Sequence, residues 1–386
     1  MNNLETLFKE TYKVNPEFEY SAPSRINLIG EHIDYNGGMV LPAAISRYIK
    51  ALVSKRNDNK ICFKSTAFEG VLERNLDDLK YDAKYDWANY GFGIFQTLQD
   101  DGYKFKFGLN ILITSNIPLG SGLSSSAAFL DLICFIASDI YNLNLTKDDI
   151  VKESVKTENV YCGLKCGIMD EAAIALGEEN KCLYLNCNNF TYKKINLDLG
   201  NYKFVVLQTN KPRKLTESKY NERVDECNKA LNILKNHYPS INNLCDLKPE
   251  MLNDIEKYLN DQILFKRVRH CITENDRVYQ FVEALKIKDL NKISSLLKSS
   301  HDSLKNDYEV TGLHLDTITE EAIKAGAIAS RMTGAGFGGC AIALVDEKIF
   351  DDFANKTSKA YEQKTGITPA IYMVDIVSGP KFERKL

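Results

Sequence analysis

PLGSGLSSSAA, residues 118–128, sets two glycines and three consecutive serines directly ahead of an apolar run. Upstream, Tyr103, Phe105, Phe107, Leu109, Ile111 and Ile113 take every odd position, with Lys104, Lys106, Gly108 and Asn110 between them. That period of two predicts a half-buried strand. Downstream, Leu130, Ile133, Cys134, Ala137 and Ile140 recur at helical spacing. The order is strand, glycine-serine loop, helix, and one of Ser124, Ser125 or Ser126 is expected to cap the helix. A helix start presents unpaired N–H groups and a partial positive charge. Gly120 and Gly122 carry no side chain, so a polyphosphate could approach the backbone closely. The serine hydroxyls could add hydrogen bonds or ligate Mg²⁺. No Gly-Lys-Ser/Thr follows, so this is not the lysine-containing phosphate loop. Read alone, the stretch fits a capped helix after a tight turn equally well.

The chain has 386 residues, enough for two domains and a substantial core. Its 49 basic and 52 acidic side chains leave a net charge of −3, with no block of Lys and Arg to grip nucleic acid. The start, MNNLETLFKE, lacks the pattern of a signal peptide. The most apolar helical stretch, residues 129–143, contains Asp131 and Asp139 and is too short to span a bilayer. A soluble, cytoplasmic protein is expected. The ten cysteines lack zinc-knuckle spacing and only five histidines accompany them, so reduced, mostly buried thiols are expected.

Strand and helix signals alternate, which predicts an α+β fold. A second unit begins near Tyr202, where KFVVLQTN reads as a buried strand. Residues 215–236 and 250–300 read as charged or polar helix, and CAIALV (340–345) and AIYMVDIV (370–377) as the last strands. The boundary is placed at 198/199, giving units 1–198 and 199–386. No Pro/Gly/Ser-rich linker marks it, so the halves are expected to share a cleft. Gly334, Gly336 and Gly339 match G-x-G-x-x-G, but a helix-like run precedes them and a strand follows. A dinucleotide site needs the reverse order.

Two further stretches carry chemistry. In SRINLIGEHIDYNGG (24–38), Arg25, Glu31, His32 and Asp34 crowd into ten positions. Carboxylates accept the protons that sugar hydroxyls donate, so this loop could read a polyol. A metal site or a solvated polar turn are rivals, the second weakened by Ile26, Leu28 and Ile29, which would anchor the loop in the core. In CGLKCGIMDEAAIAL (162–176), Asp170 follows a glycine-punctuated turn and precedes an Ala-rich helix; a plain helix-start carboxylate explains it as readily.

Together these stretches resemble the galactokinases of the GHMP kinase family, which also holds homoserine, mevalonate and phosphomevalonate kinases. SRINLIGEHIDYNGG resembles the sugar-binding signature, PLGSGLSSSAA the shared ATP motif and RMTGAGFGGC (331–340) the C-terminal motif. SKYNERVDEC (218–227), RVRHCITENDRV (267–278) and SHDSLKNDYEVTG (300–312) are similar too, in order along nearly the whole chain. The resemblance implies a ribosomal protein S5-like N-terminal domain, a ferredoxin-like C-terminal domain and an active site between them. It implies ATP on Gly120, Ser121, Gly122, Leu123, Ser124, Ser125 and Ser126, with Mg²⁺ on Ser126 and Glu158. Galactose would meet Glu31, His32, Asp34, Gly167 and Tyr220. Asp170 would be the catalytic aspartate, with Arg25 beside it. The implied partners are galactose and MgATP, for a monomer or weakly associating homo-oligomer with no nucleic-acid or membrane partner.

Two departures stand out. Glu171 follows Asp170 where the family usually has glutamine; facing the site it would repel Asp170 and raise a pKa, facing away it would change nothing. His314 stands where a glutamate is usual. The implied reaction moves the ATP γ-phosphoryl group to the C1 hydroxyl of α-D-galactose, with Asp170 accepting the proton. An N-acetylgalactosamine kinase, a non-catalytic galactose and ATP sensor and a metal-dependent hydrolase on Glu31, His32 and Asp34 are the other readings.

Overall fold

The structure is a computed structural model and describes residues 3–118, 120–164, 166–211 and 216–386. Leu119, Lys165 and residue 215, which fall in stretches read above, lie outside the described residues. The strands are β1 (Phe18–Asn27), β2 (Met39–Val40), β3 (Pro42–Lys55), β4 (Lys60–Ser65), β5 (Val71–Asn75), β6 (Leu109–Ser115), β7 (Lys181–Asn186), β8 (Thr191–Asn196), β9 (Tyr202–Gln208), β10 (Ala329–Thr333), β11 (Cys340–Asp346), β12 (Ala370–Val374) and β13 (Lys381–Lys385).

The first sheet runs β13-β1-β3-β6-β4-β5. Its pairs are antiparallel except β4 with β6. Long β1 and β3 form its centre, and their register slips between Pro23 and Ser24. Proline has no N–H to give the ladder, so a bulge belongs there, and it re-aims the next side chains, Arg25 among them. The helix Ser125–Tyr141 lies on β1 and β3 and packs against the helices Lys147–Lys156 and Met169–Ala175. On the other face Phe8, from the helix Asn3–Tyr12, joins Leu52 and Leu112 in a separate apolar cluster.

That second cover corrects the half-buried reading of the strand before the serine loop. β6 spans only Leu109–Ser115, and Leu109 to Ile113 are buried at odd and even positions alike. Tyr103 to Gly108 form no strand. There Phe105 and Phe107 leave the ladder to pack against Tyr141, with ring centroids 4.8 Å away in each case.

The second sheet runs β10-β11-β9-β12, wholly antiparallel. Its chain order is β9, helices, β10, β11, helix Phe350–Thr365, β12, the split βαβ arrangement expected of a ferredoxin-like unit. The glycine-rich loop 334–339 turns out to join β10 to β11. A strand, not a helix, leads into it, because Ala329–Thr333 pairs with Cys340–Leu344. The third sheet is β2-β7-β8. One contiguous core crosses from the first sheet to the second. The chain also returns: β13 pairs with β1, so residues 381–385 join the first sheet rather than the second.

The cysteines are free, and all but Cys162, Cys166 and Cys187 are buried. No described helix is long and apolar enough to cross a membrane.

Candidate active site

Two helix starts meet at the serine loop. Ser124 occupies the cap position of helix Ser125–Tyr141, with φ 56°. Its hydroxyl caps nothing and instead donates to Asp170 Oδ2. The expectation of a serine cap therefore fails for Ser124, because its hydroxyl is taken by Asp170. The first-turn N–H groups are left without that side-chain acceptor, which suits an anion. Ser121 and Leu123 are buried and hold the loop, while Gly120 (φ 66°) and Gly122 (φ 80°) make its turns.

Asp170 lies in the first turn of helix Met169–Ala175. Arg25 grips it with two parallel bonds, Nε to Oδ1 and Nη2 to Oδ2, both 2.7 Å. The third arm of the fork donates from Nη1 to the Gly122 carbonyl at 2.9 Å. One guanidinium thus joins the first strand, the serine loop and the aspartate. The Arg25 side chain is 5 % exposed and that of Asp170 30 %, so the pair has a sheltered end and an open one.

The loop after β1 is anchored as expected. Ile26, Leu28, Ile29 and Ile33 are fully buried. Burying such a side chain contributes roughly 1.5–3 kcal/mol, against about 1 kcal/mol for a net hydrogen bond. Burial therefore holds the loop, and polar contacts aim it. Glu31 Oε2 accepts from Asn27 Nδ2 at 2.9 Å, and Oε1 from the Gly334 N–H at 2.7 Å. Arg331, fully buried, stands 3.3 Å from Oε1 and donates to the Leu28 carbonyl at 2.7 Å. Glu31 thus ties the first motif to the third. Gly334 also abuts the serine loop: a Cβ there would lie 2.9 Å from the Gly122 carbonyl.

His32 sits at φ 61° with Nδ1 2.9 Å from the Tyr35 hydroxyl. Tyr35 in turn meets the Tyr308 hydroxyl at 2.9 Å, which touches Cys227 Sγ at 3.1 Å. Burial, then His270, lowers the His32 pKa to about 3, so the imidazole is neutral. Its Nε2 is buried, and the ring also faces the Ala335 backbone. The Tyr220 ring lies 5.7 Å from His32 and 5.4 Å from Tyr35 between centroids.

Asp34 opens the turn Asp34–Asn36. Burial, then the charges of Asp170 and Glu31, raise its pKa to about 7. Gly167 faces it closely: a Cβ there would stand 2.3 Å from Asp34 Oδ2. Gly167→Ala is expected to displace the Asp34 carboxylate and raise the KM of any substrate held there about tenfold, with kcat less affected. Equal losses in both parameters would count against that role.

Glu158, 5 % exposed, lies in a single wide turn, Thr157–Tyr161, where the Cys162 N–H reaches the Thr157 carbonyl at 2.9 Å. Glu171 is fully buried against it rather than facing away, and its pKa is pushed well up by burial and then by Glu158. Among the described residues no group of three His, Cys, Asp or Glu forms a metal cage. His314 bonds the Tyr361 hydroxyl at 2.8 Å, away from these contacts.

Sequence reading missed the support under the loop after β1. Helix Gln262–Lys286 supplies it. Glu274 accepts from the Gly30 N–H at 2.9 Å, from Ser300 at 2.6 Å and from Arg277 at 2.7 Å. His270 bonds the Glu31 carbonyl at 3.0 Å and Ser303 at 2.9 Å. Asn275 accepts from the Met39 N–H at 2.8 Å.

Comparison with known proteins shows the family and the fold. The galactokinase galactose-binding signature matches residues 6–55, and the GHMP kinase N- and C-terminal domains match residues 89–178 and 281–363. The chain is 43 % identical over 377 residues to a galactokinase of Ligilactobacillus salivarius, covering 97 % of both, and 41 % identical to one of Clostridium beijerinckii, covering 99 % and 98 %. It superposes on Lactococcus lactis galactokinase complexed with galactose with a TM-score of 0.94 at 41 % identity, covering 98 % of both. Methanococcus jannaschii mevalonate kinase shares the fold, with a TM-score of 0.68 at 24 % identity, covering 94 % of this chain and 99 % of that one. The chain belongs to the galactokinase family of the GHMP kinases.

Proposed function

We infer that the chain is an ATP-dependent galactokinase that phosphorylates the C1 hydroxyl of α-D-galactose, releasing galactose 1-phosphate and ADP. The observation that carries the assignment of roles is the hydrogen bonding of Asp170. Oδ2 already accepts from Arg25 and Ser124, whereas Oδ1 accepts only from Arg25. Each carboxylate oxygen takes about two donors, so the open acceptor position is on Oδ1. There Asp170 receives the C1 hydroxyl proton as the sugar oxygen bonds to the γ-phosphorus and the bond to the β-phosphate oxygen breaks. Arg25 holds the carboxylate in place and brings positive charge beside the transferring group. Such a loose transition state needs positioning and charge stabilisation more than a strong base.

ATP would lay its phosphates on the serine loop and the start of helix Ser125–Tyr141. Ser126 and Glu158 fit a hard divalent ion, and Glu158 has no cationic partner among the described residues. Mg²⁺, when bound, supplies charge neutralisation on the phosphates. Asp34 and Tyr220 would hold the sugar, with the neutral His32 beside them. Phosphorus-31 NMR of the product tests the regiochemistry. A single α-sugar 1-phosphate is expected, and a 6-phosphate would overturn it.

The pKa values invert the ordinary assignment of a near-neutral titration. With His32 at about 3 and Asp34 at about 7, a limb near neutrality belongs to the aspartate. The ionised form accepts sugar hydroxyls, so kcat/KM for sugar should rise with pH through about 7. Asp34→Asn should weaken sugar binding and abolish that limb. A limb that survives in Asp34→Asn contradicts the assignment.

A further inference from the structure

Tyr308 is fully buried, and its ring lies between two histidines, with centroids 4.9 Å from His32 and 4.5 Å from His270. A phenylalanine would fill that space without the cost of burying a hydroxyl. The hydroxyl meets two polar groups there, the Tyr35 hydroxyl at 2.9 Å and Cys227 Sγ at 3.1 Å. Cys227 is itself buried, two turns after Tyr220 on one face of the helix Thr216–Leu234. The Tyr220 ring in turn lies beside His32 and Tyr35.

The turn that carries Tyr308, Leu304–Tyr308, is held from three sides. The Val310 N–H closes it on the Leu304 carbonyl at 3.1 Å. Arg267 donates to the Asp307 carbonyl at 2.5 Å, and Arg269 pairs with the Asp307 carboxylate. The Phe337 N–H, from the loop between β10 and β11, donates to the Val310 carbonyl at 2.7 Å. Tyr308 is thus a fixed post. His32, by contrast, is a loop residue in the left-handed region, with its imidazole held at Nδ1 by Tyr35.

The chain of bonds also has a direction. Asn36 Nδ2 can only donate, and it reaches Cys227 Sγ at 3.7 Å and the His32 carbonyl at 2.9 Å. The thiol proton is then free for the Tyr308 oxygen, the Tyr308 proton for Tyr35, and the Tyr35 proton for His32 Nδ1. In a neutral imidazole the remaining proton then sits on Nε2.

We propose that Tyr308 is a positioning residue for the sugar site: its hydroxyl, held by Cys227, fixes Tyr35 and through it the orientation and the single tautomer of His32. The inference rests on the reading of His32 as a sugar-binding residue.

The test uses the full chain, labelled with nitrogen-15 in its histidines, and galactose as the ligand. Tyr308→Phe removes one oxygen and keeps the ring between the two histidines. The unaltered chain should show His32 protonated at Nε2 alone, its signals assigned by their loss in His32→Gln. In Tyr308→Phe those signals should move to values averaged between two tautomers. The galactose dissociation constant and KM should rise about tenfold, with kcat and the ATP KM within about twofold. Cys227→Ala should shift the same quantities in the same direction, whereas Cys227→Ser, which keeps a donor, should stay closer to the unaltered chain. The cysteine pair also decides the matter should Tyr308→Phe fail to fold. An unchanged His32 spectrum or an unchanged galactose affinity overturns the proposal, as does His32 protonated at Nδ1 in the unaltered chain. The spectrum needs no turnover, so a chain with the expected tautomer that releases no ADP would separate failure of the kinase reading from failure of this one.

Discussion

Asp170→Asn is expected to leave a folded chain that still takes up sugar and to slow turnover by about 10²–10⁴-fold, the range for loss of a positioned base. Asparagine preserves the shape and can still accept from Arg25 Nε, so the strand, loop and helix joined by that guanidinium stay together. It removes the charge that, in the proposed role, would draw the hydroxyl proton to Oδ1. The guanidinium is then left partly unpaired at its sheltered end, which costs some stability but not the fold. Single-turnover kinetics with saturating sugar and ATP separate this from a binding defect. A variant with near-normal kcat would remove Asp170 from the chemistry. Weakened sugar binding with normal kcat would make it a binding group instead.

Glu274→Ala carries the largest expected effect on stability, about 3–5 kcal/mol, the range for breaking a buried charge pair. The substitution strands the Gly30 N–H, the Ser300 hydroxyl and Arg277 at once. Burial alone would raise the Glu274 pKa, but the neighbouring charges, Arg277 foremost, outweigh it and hold the value at about 2. A depressed carboxylate contributes stability that is full above its unfolded value, near 4.5, and is lost as pH falls toward about 2. Urea unfolding should show the lower midpoint at pH 7, with the difference between the two chains shrinking as pH falls below about 4.5. A loss under about 1 kcal/mol at pH 7 would mean that the sugar loop does not depend on this helix.

The parts of the site that could be read from sequence are those that lie close together in it. Arg25 to Asp34 run from the end of β1 into the turn that follows, and the serine loop is bracketed by an apolar strand and an apolar helix. The buttress was illegible for the opposite reason. Residues 250–300 are rich in charge and read as a polar helical face, yet Arg267, His270 and Glu274 are buried. Their partners lie far away in sequence: Glu274 meets Gly30, and His270 meets Glu31. One local signal existed. Arg267, His270 and Glu274 recur at helical spacing in line with Val278, and Val268, Cys271 and Ile272 beside them are buried too. Polar residues in register with core positions mark a helix that clamps something polar.

Ser124 shows a different limit. Spacing alone placed a serine at the cap, and a serine is there, but whether its hydroxyl turns to its own helix or to Asp170 depends on tertiary placement. The last strand was illegible because KFERK is charged and sits at a sheet edge, where β1 supplies the partner. The orientation of Glu171 likewise needed three helices to be assembled before it could be known.

The central claim is a sugar kinase specific for galactose. ADP release by the purified chain with MgATP tests it most directly, across galactose, 2-deoxygalactose, N-acetylgalactosamine, glucose and no sugar. Release confined to galactose and its 2-deoxy analogue, with one sugar phosphate formed per ADP, is the expected result. Greater release with N-acetylgalactosamine would contradict the assigned substrate, and silence from a folded chain that binds galactose would contradict catalysis itself.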